Sequence, residues 1–482
     1  MQEDFIGRKK ELGLLQTLLA TRNANLVVMN GRRRIGKSRL IWEFAKPFKF
    51  HRFSGLAPRP GMVSQDQRNE FMRQFSEQFD TPIAAIQDWG NLFMLLAKQT
   101  QRGRHVILLD EISWMAIDDA DFLGKLKVIW DDYFSKNSKL ILFLCGSVSS
   151  WIEKNLLNSS AYLGRPTLHI TLKELPLEEC NLFWRDNNEL ISAYEKLKFL
   201  AISGGVPRYL ELLNPKRSSE ENIRALFFSK SSALYNEFKK IFVDVFGKRS
   251  KLYQDIVEKL VNNFMTQDEL TEALQLSRSG DLSDYLQDLV TGGFIERDYT
   301  WQVKTGKISN LSHYRLSDNY MRFALKYILP NMPLIEKGRF ENRSLKTLPG
   351  WDSIMGLQFE NLVLNNHKQV LKKLNILEQD VVFDNPYFQR KTNRSPGCQI
   401  DYMVQTRHDV VYLCEIKFSR NEIGNEIIHE VSRKLENLTL PKNISKRPVL
   451  IHVNGVTEQV RDGLFFADII DFGDLLKHNM DV

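Results

Sequence analysis

Two groups of residues in this sequence have types and spacings that chemistry can use. The first is Gly31, Arg32, Arg33, Arg34, Ile35, Gly36, Lys37 and Ser38, which fits GxxxxGK[ST] directly after the apolar run Leu26 to Met29 and directly before a helical pattern. Glycines at both ends let the backbone fold into a nest of N–H donors around a β-phosphate, and the opening helix adds positive potential. Lys37 then reaches the β- and γ-phosphates, and the Ser38 hydroxyl meets Mg²⁺. Arg39 follows in the first turn and is counted with the loop. The three consecutive arginines would either sit near phosphate or be solvated. The second group is Asp401, with Glu415 and Lys417 on the next apolar run. Residues two apart on a strand share a face, so Glu415 and Lys417 point one way and Cys414, Ile416 and Phe418 the other. The hard oxygens of Asp401 and Glu415, with Glu360 as a third ligand, suit Mg²⁺. Lys417 beside them could position water and stabilise a pentavalent phosphate, which is phosphodiester-cleavage chemistry. A plain ion pair between Lys417 and a carboxylate would satisfy the same residues.

Two further strand ends belong with the first group. Val106 to Leu109 runs into Asp110 and Glu111. Asp110 can hold the Mg²⁺ shell, and Glu111 can orient or deprotonate an attacking water. Leu140 to Cys145 ends in Gly146 and Ser147, where a hydroxyl would sense the γ-phosphate or the water, unless Ser147 is an ordinary turn serine.

Helical patterns at Lys9 to Leu19, Arg39 to Ala45 and Leu123 to Tyr133 separate these strands and Leu168 to Ile170, so the amino-terminal third should be an α/β unit with a parallel sheet. Residues 171–248 then read as a helical module, with helices at Glu178 to Asn187, Leu190 to Ile202 and Ser219 to Phe228. Residues 249–330 read as three short helices and a two-stranded wing, a winged helix. Within it Gln267 to Leu270 opens one helix and Ser277, Arg278, Ser279 and Gly280 the next, whose Asp281, Asp284 and Asp288 leave it without an obvious basic grip on phosphate, so it reads as a protein-contact module or a DNA-binding one. Residues 331–350, rich in prolines and charges, read as a linker. From 351 onward a helix, three strands, a helix and a strand form a second α/β domain.

Length and composition agree with several folded domains: 482 residues, 43% hydrophobic and 26% charged, without the biases of a disordered or fibrous chain. The four cysteines show no zinc-ligand spacing, so a structural zinc is not expected. A net charge of +7 is compatible with a polyanionic partner without establishing one. No secretory start and no membrane-length apolar run is read, so the expected setting is cytoplasmic, with no membrane partner.

Taken together, Phe5, Ile6, Gly7, Arg8, Glu11 and Leu12, the glycine-rich loop, Leu108 to Glu111, Ser147, and Gly204 to Leu210 resemble archaeal-type ATPases of the STAND branch of AAA+ P-loop NTPases. The resemblance spans roughly the first 330 residues. It implies a P-loop NTPase core at 1–170, a helical lid at 171–248, and ATP with Mg²⁺ as cofactors. Gly7 and Arg8 would then line the adenine site, and Gly205, Val206 and Pro207 would lie in the lid near the nucleotide, although a helix terminator is the simpler reading of the last three. Arg165 matches a recurrent arginine of these ATPases that stabilises transferring phosphate, in cis or from a neighbouring subunit of a homo-oligomer. The order of elements in 351–482, with Glu360, Asp401, Glu415 and Lys417 in place, resembles the PD-(D/E)xK superfamily and implies a restriction-endonuclease-like domain with DNA as partner. Ile400 stands where that family's motif has proline.

Overall fold

The computed structural model describes residues 5–477, except 84, 148, 239–240, 242–249, 277–280, 341 and 394–395. The expected helix opening at Ser277 to Gly280 lies outside the described residues.

The amino-terminal sheet is five-stranded and parallel throughout. Its strands are β1 (Asn25–Asn30), β2 (Lys49–Ser54), β3 (His105–Asp110), β4 (Ile141–Gly146) and β5 (Leu168–Thr171), in the order β2-β3-β4-β1-β5. Strands β1, β3 and β4 are buried along their whole length, so their apolar runs announce them. β2, with the sequence KFHRFS, was not expected as a strand: it is the sheet edge, only Phe53 in it is buried, and its polar residues mask the pattern. Putting β1 between β4 and β5, with β3 beyond β4, gathers the carboxyl ends of β1, β3 and β4 at one rim, where ligands bind in open α/β sheets.

The helical module packs on this sheet through a core shared with the rest of the chain, from Leu15 to Leu476. Three helices, Ser250–Lys259, Gln267–Ala273 and Asp281–Thr291, precede the antiparallel ribbon β6 (Ile295–Gln302) and β7 (Lys307–Leu316). The ribbon is not free. Trp301 Nε1 donates to Gln405 Oε1 at 2.6 Å, Gln405 Nε2 to the Val303 carbonyl at 2.8 Å, and Asn385 Nδ2 to the Tyr299 carbonyl at 3.1 Å, so the ribbon is docked on the carboxy-terminal sheet.

Residues 331–350, expected as a linker, are packed instead. Ile335, Phe340, Leu345 and Leu348 are buried, and Phe340 stacks on Phe228 with ring centroids 5.0 Å apart. Apolar residues spaced irregularly along a strap give no helical or strand period, which is why the sequence reads as open chain.

The carboxy-terminal sheet comprises β8 (Val381–Gln389), β9 (Cys398–Thr406), β10 (Val410–Phe418), β11 (Ser445–Val453) and β12 (Asp468–Asp471), in the order β12-β11-β10-β9-β8. Strands β8, β9 and β10 pair antiparallel, and β10, β11 and β12 parallel. The helices Trp351–Asn365 and Glu426–Asn437 flank it and carry polar residues toward β9 and β10. Among the described residues, no helix is long and apolar enough to cross a membrane.

Candidate functional site

The loop after β1 is shaped by its glycines. A Cβ on Gly31 would lie 2.5 Å from the Leu172 carbonyl oxygen, so a side chain is excluded by close approach. Gly36, at φ 92°, begins the helix Lys37–Ala45 in the left-handed region that glycine tolerates. Arg34 is held there too, at φ 72°. Lys37 is buried and donates from Nζ to the carbonyls of Gly31 (2.8 Å) and Arg32 (3.2 Å), two neutral acceptors.

Beside it, Ser38 Oγ donates to Asp110 Oδ2 at 2.8 Å. Glu111 stands at φ 53°, and its Oε2 accepts from the Ser147 N–H (3.1 Å) and the Ser147 hydroxyl (2.9 Å). Ser147 therefore holds the Glu111 carboxylate through two donors. Arg52, which the sequence reading did not single out, reaches from edge strand β2 to donate to Asp110 Oδ2 at 2.7 Å. Only the register that sets Ser54 opposite Asp110 makes this visible.

A cavity of about 510 Å³ opens over the loop. Arg33, Arg34, Ile35, Gly36, Lys37, Ser38 and Arg39 line it, with Glu111 at one end and Arg8 and Pro207 on the walls. Phe5, Ile6, Phe183, Leu210 and Leu213 supply an apolar part fit for a flat ring. Arg185, also unforeseen, borders the cavity with a strained backbone at φ 49°, ψ −135°.

Several residues expected to touch nucleotide are used otherwise. Arg32 is buried behind the loop and pairs with Glu174 (3.1 Å) and Asp318 (2.6 Å), so its side chain does not line the cavity. Arg34 lines it but pairs with Glu237. Arg8 braces the loop: Nη2 donates to the carbonyls of Ile35 (3.0 Å) and Lys173 (2.7 Å), and burial lowers its pKa against the opposing charge of Glu11. Gly7 lets the chain pass Glu179, whose Oε2 would lie 2.7 Å from a Cβ there. Gly205 likewise fits under the Leu175 carbonyl, which fixes Pro207 beside the loop. Arg165 is not brought to the cavity. It forks onto Asp131 at 3.0 and 2.9 Å, on the outer helix Phe122–Asp132, and gives its third donor to the Ala161 carbonyl.

At the carboxy-terminal domain, Glu360, Asp401, Glu415 and Lys417 line a second cavity of about 480 Å³ with Glu430, Arg433 and Lys434. Among the described residues, no group of three or more His, Cys, Asp or Glu side chains stands so that it could hold a metal ion. Lys434 Nζ lies 2.6 Å from Glu415 Oε2 and 3.6 Å from Asp401 Oδ1, between the two carboxylates. Asp401 Oδ2 also accepts from the Ile416 N–H at 2.9 Å. Lys417 is engaged by Glu430 (2.8 Å) and Glu415 (3.0 Å). Burial opposes its charge, but these carboxylates outweigh burial and hold its pKa above the usual lysine range. Burial and the Asp401 charge push the carboxyls of Glu360 and Glu415 up; Arg315 and Arg322 oppose this at Glu360, Lys434 and Lys417 at Glu415. The hard oxygens of Asp401 and Glu415 are of the kind Mg²⁺ takes, one or two carboxylates with waters, but here both meet Lys434.

The site around the glycine-rich loop is that of a P-loop nucleotide-binding ATPase domain. Residues 5–213 match the family profile described as an ATPase domain predominantly from Archaea, so this part of the chain is an archaeal-type ATPase domain. An uncharacterised protein of Methanocaldococcus jannaschii is 27% identical over 379 residues, covering 77% of this chain and 78% of that protein. An uncharacterised ATP-binding protein of the same organism is 42% identical over 50 residues, 10% of this chain and 85% of that protein. Among solved structures, a Walker-type ATPase of Pyrococcus abyssi aligns at TM-score 0.46 and 16% identity, covering 67% of this chain and 97% of its own. The ORC2 protein of Aeropyrum pernix, solved as ADPNP–ADP complexes, aligns at 0.41 and 12%, covering 70% and 97%.

Proposed function

We propose that the chain is an ATP-binding and ATP-hydrolysing switch whose carboxy-terminal domain is a Mg²⁺-dependent, nuclease-like module acting on DNA. The observation that carries the ATPase reading is the convergence on one cavity of Lys37, Ser38 and Glu111, with Asp110 bonded to Ser38 and Ser147 bonded to Glu111. Lys37 would exchange two neutral carbonyls for phosphate oxygens, trading contacts between an ion and dipoles for contacts between opposite charges, which are the stronger. Ser38 and Asp110 would hold Mg²⁺, which supplies charge neutralisation across the β- and γ-phosphates. Glu111, already aimed by two donors from Ser147, would orient the attacking water and accept its proton. The adenine ring would lie against Phe5, Ile6, Phe183 and Leu210. Steady-state ATP turnover tests this: the account expects turnover in the wild type and none above background in Lys37→Ala, and equal rates in the two would remove the loop from the reaction.

Support for the nuclease-like module comes from Asp401, Glu415 and Lys417 lining one cavity whose rim adds the cations Arg433 and Lys434. Asp401 and Glu415 would hold Mg²⁺, while Lys417 would orient water toward phosphorus. A second reading, an ATP-regulated scaffold whose carboxy-terminal domain binds nucleic acid or protein without cutting, is favoured by one observation: Lys434 already pairs with both Asp401 and Glu415. Supercoiled plasmid with Mg²⁺ or Mn²⁺ separates the two. Nicking by the wild type that is lost in Lys417→Ala supports the enzyme; intact plasmid in every nucleotide state supports the scaffold.

A further inference from the structure

Arg32 and Arg34 are both committed to carboxylates of the chain, but only Arg34 also faces the nucleotide cavity. Its guanidinium is held in a two-point fork, Nε to Glu237 Oε1 at 2.7 Å and Nη2 to Glu237 Oε2 at 2.8 Å. The two partners differ in exposure. The Glu237 side chain is fully buried, whereas 26% of the Arg34 side chain remains open. A triphosphate entering the cavity brings several negative charges to the open side of a guanidinium whose other side is held by one. A planar fork makes its two parallel bonds to one anion at a time.

Resting on the ATP reading above, we propose that Glu237 is the counter-ion that withholds Arg34 from nucleotide: binding of ATP transfers Arg34 from Glu237 to the phosphates and thereby forces the segment that carries Glu237 to move. The second half follows from burial, since a carboxylate left charged in the interior without its partner is strongly unfavourable and, unless it takes up a proton, must reach water or a new cation. That segment is tied to the rest of the chain at two points. The Leu234 carbonyl accepts from the Tyr320 hydroxyl at 2.9 Å, and the Tyr235 hydroxyl donates to Glu336 Oε1 at 3.2 Å. Next to Tyr320, Asn319 exchanges bonds with Gln358 (Nδ2 to the Gln358 carbonyl, 3.0 Å; Gln358 Nε2 to the Asn319 carbonyl, 2.8 Å) and accepts from Asn361 Nδ2 at 2.9 Å. Gln358 and Asn361 flank Glu360 on the helix Trp351–Asn365, which lines the carboxy-terminal cavity. A displacement that begins at Arg34 is thus delivered, through buried hydrogen bonds, to the second site. Arg32, locked between Glu174 and Asp318, keeps the loop itself in place during the exchange.

The test is a double-mutant cycle on nucleotide affinity, with a slowly hydrolysed ATP analogue and Mg²⁺ titrated into the full chain. Glu237→Gln keeps the shape but removes the charge that competes for Arg34, so it should tighten binding on the order of tenfold in the presence of Arg34 and leave it unchanged in an Arg34→Gln background. Unchanged or weaker binding by Glu237→Gln, or an equal gain in both backgrounds, overturns the inference. Wild-type amide exchange gives a readout that no variant's folding can obscure: peptides within 219–238 should exchange faster with the analogue bound, and unchanged or slower exchange contradicts the release. Failure of the wild type to bind the analogue at all would instead remove the ATP reading on which this rests.

Discussion

The two sites of this molecule contain the same kinds of side chain, acids and lysines, yet they are prepared for opposite tasks. At the amino-terminal loop the lysine is held by neutral carbonyls, the serine and acid are already joined, and an open cavity stands above them. At the carboxy-terminal cavity each lysine is bound to carboxylates: Lys417 to Glu415 and Glu430, Lys434 to Glu415 and Asp401. A lysine on a carbonyl gives up little to meet a phosphate, while one paired with a buried carboxylate gives up a charge pair and exposes the remaining acid to desolvation. The first site is therefore poised for an anionic ligand, and the second is self-neutralised until something displaces Lys434.

The largest effect that would break this contrast belongs to Glu111. If it is the group acting on water, Glu111→Gln should retain nucleotide binding and lose about 10²–10⁴-fold in ATP turnover. Retained turnover, measured by phosphate release, would move the role elsewhere. Lys434→Met sharpens the other side, because it removes the ammonium between Asp401 and Glu415. Calorimetric titration with Mn²⁺, in protein also carrying Ser38→Ala, should show about tenfold tighter divalent binding than the matched protein with Lys434, and equal affinities would mean Lys434 does not block the carboxylates. Ser147→Ala should lower turnover by a smaller factor, about tenfold, since it removes one donor to Glu111 and leaves the Ser147 N–H bond in place.

The smallest effect lies where the helical module meets the carboxy-terminal tail. Buried Lys196 donates to Asn181 Oδ1 (2.9 Å), to Asn188 and to the Leu476 carbonyl (3.2 Å), and burial pulls its pKa from 10.5 down to about 8. Between those values the unfolded chain holds a proton that the folded chain has released, so stability rises as pH climbs from about 8 toward 10.5. Denaturant midpoints at pH 7.5 and 9.5 should show this rise in the wild type and a flatter profile in Lys196→Met.

What the sequence made legible follows the range of the interactions. The loop, its strand and its helix are contiguous, so GxxxxGKS alone locates Lys37 and Ser38, and the acids at the end of an apolar run locate Asp110 and Glu111. The arginines of the same loop were ambiguous because their partners, Glu174, Asp318 and Glu237, are distant in sequence and fixed only by the packing of the helical module on the loop. Lys434 escaped for a similar reason: on the helix Glu426–Asn437 it sits in a run of alternating charges that reads as a solvated face, and only the fold turns it toward β9 and β10. Strand β2 and Arg52 were missed because an edge strand tolerates polar residues that hide its period.

The most direct measurement of the central claim is isothermal calorimetry of the intact chain with a slowly hydrolysed ATP analogue and Mg²⁺. One saturable site that disappears in Lys37→Ala is the expected result, and the absence of any binding heat across the temperature range in which the chain remains folded would contradict the account.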